Sequence, residues 1–249
     1  MSPCNRTHVL VCAIVTTVLA AGCAHREPMA FDSKPAGEGL SGQSVVFLSL
    51  RTENAYKPSF KPVADLVVVE ERGAEPYDAD VNDAHARDMG NIQWRYRCGG
   101  GKGWHYFTVG KCRRTSDKSN EYLISMALTP GKYRLRYIAA AMTELKVDLP
   151  YAPRGWCFIP VYAEFEVRPA RIAYLGRIEA TNRHRKDNSE LRSGPIAPLL
   201  QQAVMGISDG TFEVKVADAY EEDTATASEL CRGLQRSNVI KDLLQLPVR

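Results

Sequence analysis

The chain has 249 residues, 32 Lys+Arg against 29 Asp+Glu, a formal net charge of +3 and 45% hydrophobic residues. That balance excludes a wholly disordered chain, a collagen-like fibre and a multi-span membrane protein, and so small a charge gives no reason to expect a nucleic-acid partner. Seven cysteines, an odd number, raise the question of compartment.

The N-terminus answers it. Arg6 precedes an uncharged run from Val9 to Ala21. The run is shorter than the roughly 20 residues a helix needs to cross a bilayer, and has the make-up of the apolar region of a signal peptide. It ends in Leu19-Ala20-Ala21-Gly22-Cys23, which resembles the lipobox of bacterial lipoproteins, with Ala20 where Leu is most usual. The resemblance implies a signal peptide over 1–22, cut before Cys23, and lipid attachment on the Cys23 sulfur and its new amino group. Two or more acyl chains anchor stably where one is marginal. Ala24 stands where the family's sorting rule places Asp in inner-membrane proteins. The resemblance therefore implies the outer membrane, with the domain in the periplasm or at the surface.

Cleavage removes Cys4 and Cys12, and the lipid takes Cys23. Cys98, Cys112, Cys157 and Cys231 remain. In an oxidising compartment four cysteines read as two disulfides. Cys98 and Cys112 flank a short Gly-rich ribbon and are the favoured pair, which leaves Cys157 with Cys231. Closing a loop of about 15 residues is worth roughly 3 kcal/mol. A zinc site is the rival use, but the chain has no Cys-x2-Cys pair. The expectation is no metal and no cofactor.

Residues 23–43 are the lipidated N-terminus and a polar segment with Pro and Gly and no periodicity. They read as a flexible tether, and a coil of about 20 residues spans about 25 Å. Strands are predicted from 44 onward: Val45–Leu50, Asp65–Glu70, the strictly alternating Ile92–Cys98, Trp104–Val109 and Tyr122–Leu128. After the turn Thr129-Pro130-Gly131-Lys132 come Tyr133–Ile138, Val161–Val167, Ile172–Ile178 and Phe212–Val216. Helix signals come late, over 197–205 and 226–246, the second after the acidic run Asp218–Asp223. Short strands between turn signals, with no βα alternation, predict a mainly β fold: a single antiparallel β-sandwich over 44–249 with a C-terminal helix.

The string Leu128-Thr129-Pro130-Gly131-Lys132-Tyr133-Arg134-Leu135 resembles the turn-then-Tyr element of transthyretin-like sandwiches. Phe165 to Ile178 resembles a strand pair of small bacterial lipoproteins of the DUF2846 type. These resemblances imply fold and location only, because those families share no established activity. Residues 72–118 and 146–160 look like additions to that pattern.

No catalytic residue is expected. Gly206-Ile207-Ser208-Asp209-Gly210 matches the nucleophile-elbow spacing, but a helix precedes it and a strand follows, the reverse of what lifts a serine hydroxyl; a turn explains it better. Cys98–Gly103 is Gly-rich but lacks the Lys-Ser/Thr and helix of a phosphate loop. Trp104 and His105 belong to an aromatic and cationic mixture able to stack on a glycan. Arg183 and Arg185 form a basic cluster that could meet anionic head groups or an acidic polymer. The function this supports is a non-enzymatic, lipid-anchored envelope protein that binds or scaffolds an envelope protein or glycan, with Trp104, His105, Arg183 and Arg185 as candidate contacts. The alternatives are a periplasmic hydrolase with a dispersed site and a purely structural assembly accessory.

Overall fold

Period-two alternation sets the architecture. In Val45-Val46-Phe47-Leu48-Ser49-Leu50 the even-numbered side chains enter one apolar core, while Phe47 packs in another cluster on the opposite face. Such a strand is buried on both sides and reads as a continuous apolar run. The computed structural model describes residues 26–33, 43–73, 85–86, 103–110, 113–116, 118–144, 155–194, 206–230 and 238–247. The expected signal peptide, Cys23, Cys98, Cys112, Cys231, the strand expected over 92–98 and the helix expected over 197–205 lie outside them.

The strands are β1 (Ser44–Asn54), β2 (Phe60–Glu71), β3 (Trp104–Thr108), β4 (Arg113–Thr115), β5 (Ser119–Leu128), β6 (Gly131–Glu144), β7 (Gly155–Val167), β8 (Ile172–His184), β9 (Gly210–Ala217) and β10 (Val239–Lys241). One sheet is ordered β10-β8-β1-β5-β4, with β9 also on β8; the other is β3-β2-β6-β7. The two face each other across Val46, Leu48, Leu50, Ile124 and Ile178 on one side and Val67, Val69, Leu135, Ile138 and Val161 on the other. This is the expected sandwich. Its first sheet is mixed, because β8 pairs in parallel with both β1 and β10.

Call the end carrying the β5–β6 turn and the β7–β8 turn the turn end. The opposite end is plugged by buried amides: Asn120 Nδ2 and Thr52 Oγ1 donate to Pro62 O at 3.0 and 2.8 Å, and Asn182 Nδ2 donates to Asn54 Oδ1 at 3.2 Å. Both open flanks of the sandwich are closed by terminal segments. On one flank Glu27 N donates to Tyr106 O and accepts at its carbonyl from Thr108 N, adding to β3 in parallel, while Met29 and Phe31 reach Ser125 of β5. Helix α1 (Ala30–Ser33) follows, and Met29 is buried. On the other flank β10 lies on β8, and Gln245 bridges to Glu164 of β7.

Two expectations are corrected here. The tether assigned to 23–43 is, over 26–33, part of the folded body, because Met29 and Phe31 find apolar pockets that a polar coil does not need. The helix expected over 226–246 is instead α2 (Tyr220–Leu230), and Val239–Lys241 is a strand. Leu243 packs outside the first sheet and Leu244 enters the core; consecutive leucines on opposite sides are the mark of an extended segment, not a helix.

Cys157 is also corrected. It is a free, buried thiol, not half of a Cys157–Cys231 bridge. Its Sγ donates to Ala140 O at 3.5 Å, and burial pushes the thiol well above its usual range. With so little thiolate, iodoacetamide at neutral pH is expected to spare Cys157 in the folded protein and alkylate it in urea. Alkylation of the native protein at Cys157, read by peptide mapping, would show that the core is open there.

Candidate functional site

Alternation along β3 sends Trp104 and Tyr106 to the outer face of the second sheet, and His105 and Phe107 towards the core. Trp104 is therefore buried, in a cluster with Leu66, Val68, Tyr137 and Phe158. His105 stands on the other face, its Nδ1 3.1 Å from Glu27 Oε1. The two aromatic candidates do not form one patch.

Arg183 and Arg185 lie at the opposite end from the turns. Arg183 donates to both oxygens of Glu190, at 3.0 and 2.6 Å, and its Nε is 3.5 Å from Glu213. Arg185 Nε donates to Glu190 O, and Lys186 N to Glu190 Oε2. The hydrogen bonds from Arg183, then that from the Lys186 amide, hold the Glu190 carboxyl at about 2. The basic cluster folds around its own acid and is spent largely on ordering the 184–190 loop.

Gly206–Gly210 is a turn leading into β9, as expected. Gly206 adopts φ of 75°, and a Cβ there would come within 2.6 Å of the Tyr56 ring. Ser208 O accepts from Arg192.

Two constellations that strand periodicity did not reveal are created by β-bulges. In β6 the register slips between Leu135 and Tyr137 against both neighbours, so Arg136 and Tyr137 share the outer face. Arg136 then reaches Glu70 at 2.7 Å, both side chains essentially fully buried (1% and 0% exposed). The Arg136 guanidinium lies 4.9 Å from the Trp104 ring centre and 5.7 Å from that of Tyr162. Tyr162 has φ of 53°, a left-handed conformation that costs about 1–3 kcal/mol and is held only where the surroundings impose it. Its hydroxyl is 3.4 Å from His85 Nδ1, whose Nε2 is 3.0 Å from Arg192 O.

The second bulge is at Gly176, φ 106°, where the β1–β8 register shifts and turns Arg177 outward beneath α2. Arg177 and Ser49 there bond to Asp223, and Tyr174 Oη donates to it at 2.5 Å. Burial, then Asp223, pushes the Tyr174 hydroxyl up. Burial opposes the charge on Arg177, but Asp223 outweighs it and keeps the guanidinium above its usual range. The acidic run before the expected helix is thus within its first turn, and Asp223 faces inward as a clamp.

One concavity lies at the turn end. A cavity of about 250 Å3 is lined by Val46, Ala173 and Ile240 together with Arg168, Arg171, Lys241, Glu166 and Asp242. Ile240 is 37% exposed. Aliphatic side chains among groups of both charges suit an amphipathic group.

No family model, no curated protein and no solved structure matches the chain. Function is therefore argued from residues alone. Among the described residues no three His, Cys, Asp or Glu side chains are placed to hold a metal ion, and no helix is long and apolar enough to cross a membrane.

Proposed function

We propose that this chain is a non-enzymatic outer-membrane lipoprotein, anchored through acylated Cys23, whose sandwich binds or scaffolds an envelope protein or glycan. The observation that carries the reading is the Leu19–Cys23 lipobox at the end of an apolar run too short to span a bilayer. The fold supports it: both terminal segments are tied into the body, so a domain fixed at its N-terminus presents its remaining surface in a defined posture. Cys23→Ala is expected to release the protein from the outer-membrane fraction into the soluble fraction. Unchanged fractionation would refute lipid anchoring, and crosslinking in cells followed by mass spectrometry would name the partner.

A further inference from the structure

The route from anchor to body carries an orientation. Glu27 pairs in parallel with β3, so the described segment enters from the Trp104 end of that strand. Trp104 pairs with Glu70, Glu71 with Tyr133, and Gly131 with Val167, which places that end level with both turns. Cys23 stands four positions before Glu27, a reach of at most about 14 Å even fully extended.

Resting on the lipoprotein reading, we infer that this short leash seats the turn end of the sandwich on the phospholipid surface in which Cys23 is anchored. The surface that arrives there fits a head-group layer. The turn tips Pro130 and Pro169 are exposed beside Lys132, Arg168 and Arg171, and Ile240, 37% exposed, lines the cavity. Lys132 and Arg171 are in no ion pair among the described residues, whereas Arg168 lies 4.0 Å from Glu166. Glu71, exposed, and Asp242, partly buried, offset part of this charge. The face is near neutral, so the acyl anchor holds the contact and salt should change it little.

The same geometry removes Arg183 from membrane contact. β8 is 13 residues long, so His184 lies about 40 Å from Ile172 at about 3.3 Å per residue. That end faces the aqueous compartment and is where a partner has access.

The test is hydrogen exchange on the full mature protein, moved from detergent into phosphatidylethanolamine vesicles containing phosphatidylglycerol. Slowed exchange over 128–133 and 167–172, with 184–190 unchanged, is the expected result. A second variant carries a Gly/Ser insert of about ten residues between Ala24 and His25, adding about 17 Å of coil; it should lose the protection while staying acylated. Protection confined to 184–190, no protection, or protection that survives the insert each overturns the orientation and leaves the anchor standing. An intact mass without acyl groups overturns the anchor, and the orientation with it.

Discussion

Glu70→Gln is expected to destabilise the domain by about 3–5 kcal/mol, read as a lower urea midpoint at unchanged slope. The substitution keeps the side chain's shape and removes its charge. Arg136, 1% exposed, then loses the charge of the carboxylate 2.7 Å from it. The Trp104 and Tyr162 rings remain over the guanidinium and soften the loss without neutralising the charge, a desolvated cation over a ring gaining about 2 kcal/mol or more. Glu70→Leu with Arg136→Met removes both charges at similar volume and should recover most of the loss, because apolar replacement of a buried pair is often neutral. A double variant no more stable than Glu70→Gln would mean that the pair is not isolated from water as drawn.

Asp223→Ala should cost about 3 kcal/mol, from bonds to a charged acceptor that each contribute about 1.5–3 kcal/mol and do not add fully. Ser49 and Tyr174 give up this acceptor at once, while Arg177 loses it but keeps Glu222 at 3.0 Å and Ser49 at 3.3 Å. The loss should also be local. Amides of α2 should exchange faster than those of β2 and β6, because the Asp223 clamp holds the helix onto its sheet. A uniform acceleration across both sheets would show that α2 is part of the global unfolding unit.

Much of the framework was legible in the residues. Val45–Leu50, Asp65–Glu70, Tyr133–Ile138 and Phe212–Val216 all fall inside observed strands, since β-branched runs between turn signals leave few alternatives. The Thr129-Pro130 turn lies where Pro and Gly placed it. What escaped was whatever breaks strict alternation. Arg136 and Arg177 acquire their acidic partners through bulges, and an extra residue in one strand leaves no periodic trace. Gly176 was the one visible signal, a glycine inside a strand pattern. The docked segment 26–33 was hidden by its polar neighbours, although Met29 and Phe31 marked it. The C-terminal leucines imitate a helical stripe over a few residues, and only the pairing of β10 with β8 decides between the two.

The placement of β1 governs how the molecule is assembled in time. Its neighbours are β5 and β8, and its parallel pairing with β8 waits for the chain from Ile172 onward. A chain delivered N-terminus first holds Val46, Leu48 and Leu50 unsheltered until those strands arrive. The flank beside β7 then stays open until Leu244 and Gln245 are out. Long-range pairing of this kind slows folding and prolongs exposure of a sticky strand. A newly made copy thus passes through a vulnerable interval in which a holding chaperone has a defined hydrophobic target.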